Sequence, residues 1–307
     1  MPDRIPFRVT PMLATLVDAP FDKPGWVYEE KYDGYRLLAY KEGARVALLS
    51  RNGLDRTERF TNIAHAIASL SDRTLLLDGE AVAFDQHRVS RFQLLQEGTS
   101  PVVFAVFDCL YRNDQDLRSN SLAERRTALE QAIGHRDQLL AARRLGANGL
   151  RAFALARQRG FEGLVAKNAA APYHEGRSRE WLKVKVRQEE ELVIGGYTAP
   201  RGSRAYIGAL LLGAYRGADL RYVGSVGSGF TAQTLATLYQ TFQPLVTEAS
   251  PFLDPPRLKD ATWLAPTLVA QIAFREWTAD AKLRQPVFLG LRDDKRPGDC
   301  ILPEASS

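Results

Sequence analysis

The amino-acid sequence predicts an α+β domain over residues 1–188, followed by a small antiparallel barrel over residues 189–307. Three observations lead to this prediction. The first part interleaves apolar strand patterns with three helical segments. After Gln188 the pattern changes to short strands punctuated by glycine. This second part combines five short strands with a single helix, which is typical of a Greek-key barrel of the OB type.

The elements of the first domain follow from residue spacing. The run from Pro101 to Leu110 is apolar throughout, as in a buried central strand. Ser121 and Glu124 match a capping box and predict a helix of about twenty residues. Gly160 is placed to end another helix. The other predicted elements are strands at 26–28, 36–40, 46–49, 75–77, 81–84, 163–167 and 181–186, a helix over 58–70, and a loop that contains Arg177.

The barrel elements are shorter. A helix is predicted from Thr231 to Phe242, among strands at 192–194, 209–212, 220–223, 268–276 and 286–291. The Greek-key assignment for this half depends on that ratio of strands to helices.

Composition excludes several classes of protein. With 45% hydrophobic and 25% charged residues, the chain is neither disordered nor collagen-like nor a coiled coil. No run approaches the roughly 20 apolar residues that cross a bilayer, and we expect no membrane partner. The first residues carry no apolar signal core, so we expect a cytosolic protein. Two cysteines and four histidines favour neither a disulfide framework nor a zinc site.

Net charge permits a nucleic-acid partner without requiring one. The formal charge is +5 and the isoelectric point is about 9.2. Many proteins of this charge bind no nucleic acid, so the order of the residues has to decide.

Lys31 is the first candidate for chemistry, in the segment Lys31-Tyr32-Asp33-Gly34. A lysine at the start of a tight turn is either a solvated hairpin residue or a nucleophile. An ordinary lysine has a pKa near about 10.4 and is almost fully protonated at neutral pH. A nucleophilic role therefore predicts neighbouring cations, burial or a metal that lowers the pKa of Lys31.

Other charged residues lie on predicted strands. Lys183 and Lys185 are two positions apart and leave the same face of a strand, as a phosphate clamp or as a solvated sheet face. Lys167 ends another strand. Glu80 and Glu162 are either solvated carboxylates or oxygen ligands of the kind that Mg²⁺ or Mn²⁺ prefers. The segment from Arg292 to Lys295 taken alone is an exposed charged turn.

Taken together and in order, these segments resemble the ATP-dependent DNA ligases of the covalent nucleotidyltransferase superfamily. The finer pattern is most similar to the ligase module of bacterial end-joining ligases. The resemblance covers the chain from about Pro11 to about Pro297. The motifs that carry it are Lys-Tyr-Asp-Gly (31–34), Ser-Arg-Asn-Gly (50–53), Asp-Gly-Glu (78–80), Phe-Ala-Val-Phe-Asp (104–108), Glu-Gly-Leu-Val-Ala-Lys (162–167), Trp-Leu-Lys-Val-Lys (181–185) and Arg-Asp-Asp-Lys (292–295).

The resemblance implies a nucleotidyltransferase (adenylation) domain, an OB-fold domain, and a role for each motif residue. Lys31 would attack the α-phosphate of ATP and carry AMP, in a loop shaped by Asp33. Glu29 would read the adenine 6-amino group. Phe107 would stack on adenine, although a core position for this ring stays equally open.

Phosphate and metal contacts are implied in the same way. Arg36 and Arg51 would hold the nucleotide and later the DNA 5′-phosphate. Glu80 would meet the ribose or a metal, and Glu162 would lie near the metal. The lysines expected to neutralise the α-phosphate are Lys167, Lys183 and Lys185. The residues expected to swing in with the barrel and orient pyrophosphate are Arg292, Asp294 and Lys295, with a hinge over 185–189.

The implied cofactors and partners follow from the reaction. They are ATP, Mg²⁺ or Mn²⁺, nicked or broken duplex DNA, and a Ku-type end-bridging protein. We expect a monomer in the bacterial cytosol that acts in end joining. Three alternatives remain at this point: an RNA ligase, an mRNA-capping-type nucleotidyltransferase, and a catalytically silent OB protein that binds nucleic acid.

Overall fold

The computed structural model describes residues 5–98, 100–186, 188–200, 202, 205–278 and 280–302. The chain divides into two compact units, Met1–Val186 and Arg187–Ser307. The predicted hinge includes Arg187, which lies outside the described residues. No helix in the part of the chain that the structure describes is long and apolar enough to cross a bilayer.

The first unit contains two sheets and four α-helices among its described residues. Its elements in chain order are β1 (Met12–Leu16), β2 (Trp26–Lys31), β3 (Tyr35–Glu42), β4 (Arg45–Ser50), α1 (Thr61–Ala68), β5 (Thr74–Ala83), α2 (Phe92–Glu97), β6 (Val102–Arg112), β7 (Gln115–Asp116), α3 (Leu122–Ile133), β8 (Leu139–Ala141), β9 (Arg144–Gly146), α4 (Gly149–Arg159), β10 (Gly163–Asn168) and β11 (Gly176–Lys185).

The two sheets of the first unit are built from different parts of the chain. Sheet I has the strand order β1-β11-β10-β2-β9, and sheet II has the order β4-β3-β5-β6-β7, with β8 beside β6. Pairing is antiparallel except for β1 with β11 and β6 with β8. The α+β class of antiparallel sheets with flanking helices is therefore confirmed.

Three apolar layers hold this unit together. One layer lies between sheet II and helices α1 to α3, and another lies between sheet I and α4. The middle layer contains side chains of both sheets, such as Leu38 and Val82 of sheet II and Trp181 of sheet I. The two sheets therefore face each other, and groups on their inner faces share one site.

Local sequence signals explain most boundaries. Ser121 and Glu124 form the predicted capping box, and Gly160 ends α4 in the left-handed conformation. Two expectations were wrong. Helix α3 has 12 residues, not about twenty, because the chain leaves helical geometry at Gly134. Arg177 lies within β11, because the parallel partner β1 extends that strand back to Gly176.

The second unit is dominated by one six-stranded sheet. Its strand order is β14-β13-β12-β16-β15, with β19 also beside β16. One α-helix occurs among its described residues, as the OB prediction requires. The elements are β12 (Glu189–Thr198), β13 (Leu210–Arg216), β14 (Asp219–Val226), α5 (Ala232–Phe242), β15 (Val246–Thr247), β16 (Ala261–Ala273), β17 (Glu276–Trp277), β18 (Leu283–Arg284) and β19 (Val287–Leu291), with 3-10 turns at Gln243–Leu245 and Pro297–Asp299.

Candidate active site

The inner face of sheet I carries most of the charged residues singled out from the sequence. Residues paired across antiparallel strands project from the same face. Three rows cross β2, β10 and β11 in this way: Lys31–Gly163–Lys185, Glu29–Val165–Lys183 and Val27–Lys167–Trp181. The fold thus places Lys31, Glu29, Lys167, Lys183 and Lys185 on one surface, which we call the lysine face.

Gly163 lies between Lys31 and Lys185 in the first row. A Cβ on Gly163 would lie 2.2 Å from the carbonyl oxygen of Val184, so no larger residue fits. The row is therefore left without a side chain between its two amines. Such a gap allows a phosphate to reach both amines.

Sheet II presents the opposing groups. Arg36 and Glu80 are cross-strand partners on β3 and β5. Arg51 directly follows Ser50, the partner of Leu37, so the register places it beside Arg36. Phe107 has no partner on β5, because the register shifts between Asp78 and Gly79. This β-bulge turns the Phe107 ring towards the layer between the sheets.

Lys31 forms an ion pair with Glu162, which directly precedes β10. Burial acts to lower the pKa of Lys31, but the Glu162 carboxylate, with Asp33 and Glu80, raises it well above its ordinary value. The sequence-based expectation of a lowered pKa was therefore wrong for the protein without its nucleotide. The nearest charged groups are carboxylates, and Lys31 is held as an ammonium ion.

Lys167 lies at the other end of the lysine face, two rows away from Lys31. Its Nζ is 2.7 Å from Oε2 of Glu29, and both side chains are 3% exposed. Burial lowers the pKa of Lys167 despite the neighbouring Glu29. Lys167 is thus a buried partner of Glu29, and its expected contact with the α-phosphate does not agree with this placement.

Glu29 has a second cationic neighbour that the motifs did not indicate. Nη1 of Arg126, on α3, lies 3.4 Å from Oε1 of Glu29. Nη2 of the same side chain donates to the carbonyl oxygen of Ala142 at 2.8 Å. Arg126 lies next to Arg125 on helix α3, and no motif marks it in the sequence. Its contact with Glu29 could therefore not be predicted from residue spacing.

Arg36 is held by a partner that was also missed. Its guanidinium donates to both oxygens of Asp78, at 2.5 and 2.7 Å, and the Tyr173 hydroxyl donates to the same carboxylate at 2.7 Å. The guanidinium carbon lies 4.4 Å from the centroid of the Phe107 ring. Asp78 therefore fixes Arg36 against Phe107, and the expected contact of Arg36 with the nucleotide stays a prediction.

Phe107 occupies an environment that fits both of its predicted roles. The ring is 8% exposed and contacts Trp181 edge to face, with centroids 5.8 Å apart. Nζ of Lys167 lies 4.5 Å from the centroid of the same ring. The aromatic face is thus surrounded by cations, in a partly accessible part of the core.

The loop after Lys31 is fixed by short polar contacts. Ser90 Oγ accepts a hydrogen bond from the backbone N–H of Asp33, and Oδ2 of Asp33 accepts one from the N–H of Phe92 at the start of α2. A Cβ on Gly34 would lie 2.3 Å from the carbonyl oxygen of Ala81. Asp33 therefore fastens the lysine loop to the start of α2, and Gly34 lets the loop pack closely against β5 of sheet II.

The carboxylates near Lys31 suit a hard divalent cation. Both Glu80 and Glu162 act electrostatically on Lys31, and Oε2 of Glu162 is buried without a hydrogen-bond partner among the described residues. No cluster of three His, Cys, Asp or Glu that could hold a metal occurs in the described ranges. Mg²⁺ usually binds through one or two carboxylates together with water and substrate phosphates, so these residues fit it.

The charged motif of the second unit is folded back on itself. Arg292 donates to both oxygens of Asp294, each at 2.8 Å, and to Oε1 of Gln271 at 2.8 Å. Nζ of Lys295 lies 3.2 Å from Glu191. Burial acts to raise the pKa of Asp294, but Arg292 lowers it overall. The segment is therefore more ordered than an exposed charged turn.

Comparison with known families gives two matches along the chain. Residues 11–185 match the ATP dependent DNA ligase domain, and residues 203–295 match the ATP dependent DNA ligase C terminal region. The first match contains every site residue of the two sheets, and the second contains Arg292, Asp294 and Lys295.

Individual proteins give the same result. The chain is 38% identical over 304 residues to the multifunctional non-homologous end joining protein LigD of Pseudomonas aeruginosa, covering 95% of this chain and 36% of that protein. It is 31% identical to DNA ligase C1 of Mycolicibacterium smegmatis, covering 96% and 93%. The solved structure of mycobacterial DNA ligase D complexed with ATP and MES matches with a TM-score of 0.74 and 34% identity, covering 96% and 98%. The chain spans only 36–40% of the length of its LigD relatives.

Proposed function

We propose a function for this chain from one premise: the chain belongs to the ATP-dependent DNA ligase family. In this proposal it seals a 5′-phosphate to a 3′-hydroxyl in duplex DNA through a lysyl-AMP intermediate. The observation that carries the proposal is the first row of the lysine face, where Lys31 and Lys185 flank the side-chain-free position of Gly163.

The first step loads AMP onto the protein. Nζ of Lys31 attacks the α-phosphorus of ATP, a phosphorus–nitrogen bond forms, and the bond to pyrophosphate breaks. Lys31 must first lose a proton, and the Glu162 carboxylate is the group that contacts its ammonium. Lys183 and Lys185 supply positive charge to the α-phosphate. Phosphoryl transfer of this kind depends mainly on positioning and on positive charge.

A bound divalent cation supplies further positive charge to the phosphates, and Glu80 and Glu162 are the residues that would hold it. Glu29 recognises the adenine 6-amino group from a position fixed by Lys167 and Arg126. Phe107 offers its ring to the base. Glu29 and Phe107 lie on the inner faces of sheet I and sheet II, respectively.

The later steps use the same surfaces. AMP passes from Lys31 to the 5′-phosphate, where a pyrophosphate linkage forms and the phosphorus–nitrogen bond breaks. The 3′-hydroxyl then attacks the 5′-phosphorus, a phosphodiester forms, and AMP leaves. Arg36 and Arg51 are proposed to hold the 5′-phosphate, with Arg36 kept in place by Asp78.

We assign residues 1–188 to adenylation and residues 189–307 to an OB domain that assists the first step and binds DNA. Asp294 orders Arg292, and with Lys295 these residues orient pyrophosphate in line with the attack. An Asp294→Ala variant should load AMP about tenfold more slowly and still seal a nick that already carries AMP. Equal losses in both assays would contradict this assignment.

The biological setting is proposed from the relatives. Two of the LigD proteins are named for non-homologous end joining. We propose that this chain serves the same kind of break repair in the bacterial cytosol, as a monomer that works with a Ku-type bridging protein.

The deciding experiment is the sealing of a nicked duplex with ATP and Mg²⁺ or Mn²⁺. Radiolabel from ATP should become acid-stable on the protein, and label from GTP should not. A DNA 3′-hydroxyl strand should be joined at least as well as an RNA strand. Labelling by GTP would favour a capping-type enzyme, sealing of RNA alone would favour an RNA ligase, and no adduct at all would favour a silent binding protein.

A further inference from the structure

A second concentration of positive charge lies outside the site described above. A cavity of about 330 Å³ opens beside β9, the edge strand of sheet I next to β2, which carries Lys31. Three segments of chain meet there: the turn after β5, the start of β9 and the end of α4. Among the residues that line this basic pocket are Arg88, Arg143, Arg144, Arg159, His87 and Phe161.

The arginines of the basic pocket are largely uncompensated. Arg143 is paired, since its Nη1 lies 2.9 Å from Oε2 of the buried Glu30. Among the described residues, no carboxylate lies within 4.0 Å of the side-chain nitrogens of Arg88, Arg144 or Arg159. Guanidinium groups gathered in this way repel one another unless an anion lies between them.

The pocket is also built on fixed backbone. Asp85 closes the turn that presents Arg88, because its Oδ1 accepts hydrogen bonds from the N–H groups of His87 and Val89. Val89 and Phe161 pack in one apolar cluster beneath the pocket. Arg143 lies over the Phe161 ring, 5.4 Å from its centroid. The floor and one wall therefore need no rearrangement to receive a ligand.

We propose that the basic pocket binds a backbone phosphate of the DNA duplex. Arginine is suited to this ligand because its planar fork of donors matches phosphate oxygens. The position of the pocket one strand away from β2 gives the first unit its own hold on DNA beside the reacting end. This inference rests on the proposed function, since it takes duplex DNA as the ligand.

Some of the arginines near the basic pocket also stabilise the end of helix α4, and one of them provides a control variant. Arg157 and Arg159 both lie in the last turn of α4, where cations stabilise the helix dipole. Arg157 is exposed and does not line the pocket. Arg157→Gln therefore removes the same charge from the same helix end without touching the pocket.

The test compares Arg144→Gln/Arg159→Gln with Arg157→Gln in the full chain. The measurement is affinity for a nicked duplex at salt concentrations between about 50 and 200 mM. The double variant should bind about tenfold more weakly at the lowest salt, and the log–log salt slope should fall by about 1, because the contact to one phosphate is lost. Arg88→Gln alone should lower the slope by less than the double variant does.

Two further readouts keep the outcomes distinct. AMP loading from ATP should be unchanged in these variants, which shows that they are folded and that the nucleotide site is intact. If wild-type protein loads no AMP, the proposed function fails without bearing on the pocket. If the pocket variants show the same salt slope as the Arg157→Gln control, the pocket does not bind a DNA phosphate. The proposal would also be overturned if these variants lost binding of inorganic phosphate but kept the wild-type affinity for DNA.

Discussion

Two lysine–glutamate ion pairs join the neighbouring strands of sheet I, one at each end of the lysine face. Lys31 lies on β2 and pairs with Glu162, just before β10, whereas Lys167 lies on β10 and pairs with Glu29 on β2. The Lys31 side chain is 20% exposed and the Lys167 side chain is 3% exposed. The pKa of Lys31 is raised and that of Lys167 is lowered.

The difference arises from the surroundings of each amine. Lys31 has three carboxylates around it, so its charge is favoured although it is partly removed from water. Lys167 is desolvated, and this outweighs the Glu29 and Asp108 carboxylates, while the cationic Arg126 also acts to lower its pKa. The same pair of residue types therefore forms a more accessible end, which we propose to be reactive, and a buried end, which we propose to position Glu29. Three predictions test this division, beginning with the largest expected effect, and a fourth concerns the neighbouring carboxylate on β2.

Removing the amine at the accessible end should abolish the first step. Lys31→Ala should lower AMP loading from ATP by at least about a thousandfold, because the variant has no nucleophile. Sealing of a nick that already carries AMP should persist, since the last step forms no bond to lysine. Lys23→Ala, at an exposed lysine, is the matched control. Label on the Lys31→Ala protein would show that another residue carries AMP.

The phosphate lysines should show a graded effect along the same face. Lys185→Ala and Lys183→Ala should each slow AMP loading by about tenfold or more, because a charge-assisted contact contributes about 1.5–3 kcal/mol. The loss should be larger for Lys185, which shares a row with Lys31. Single-turnover rates of adduct formation measure this order. Unchanged rates in both variants would show that the two lysines are only solvated residues on one face of the sheet.

The buried pair should matter for stability more than for chemistry. Lys167→Met should lower the free energy of unfolding by about 3 kcal/mol, because it removes the closer of the two cations beside the buried Glu29 carboxylate. The double variant Glu29→Gln/Lys167→Met should recover part of that loss. Urea unfolding of the two variants and the wild type gives the comparison. No recovery in the double variant would argue against a coupled pair.

The second carboxylate on β2, Glu30, gives an effect that depends on pH. Burial raises the pKa of Glu30 to about 7, although Arg143 acts to lower it. Protonated Glu30 stabilises the fold below a pH of about 4.5, and this contribution is lost as the pH rises through about 7. Relative to wild type, Glu30→Gln should therefore gain up to about 3 kcal/mol in unfolding free energy between pH 4.5 and 8.

The matched control for this measurement is Glu58→Gln, at an exposed carboxylate. The difference in unfolding free energy between Glu58→Gln and the wild type should stay constant over the same pH range. A flat difference for Glu30→Gln as well would mean that Glu30 titrates normally in the folded protein.

Local signals made much of the fold predictable. The Ser121–Glu124 box and Gly160 define helix ends within a few residues of sequence, and both were correct. Alternation placed Lys183 and Lys185 on one face, as the ladder with β10 confirms. The predicted lengths of two elements were wrong: α3 ends at Gly134, where the backbone leaves helical geometry locally, and β11 begins at Gly176, because it pairs with the distant β1.

The residues of the candidate site were predictable from the sequence, but the ion pairs that they form were not. The motifs identified Lys31, Glu162 and Arg36, yet not that Glu162 and Asp78 are the partners of the two cations. Those pairs join residues far apart in sequence, and no spacing rule connects them. Arg126 escaped notice for the same reason, since only the packing of α3 brings it to Glu29.

The strand order of sheet I also determines when the site can come into existence during synthesis. Met12 on β1 pairs with Gly176 on β11, and Lys31 on β2 meets Gly163 on β10. Sheet II needs only residues up to 141. Contacts between such distant residues form slowly, because a long loop must close before any pairing stabilises it. Lys31 therefore leaves the ribosome about 150 residues before Lys183 and Lys185, the lysines proposed to bind phosphate.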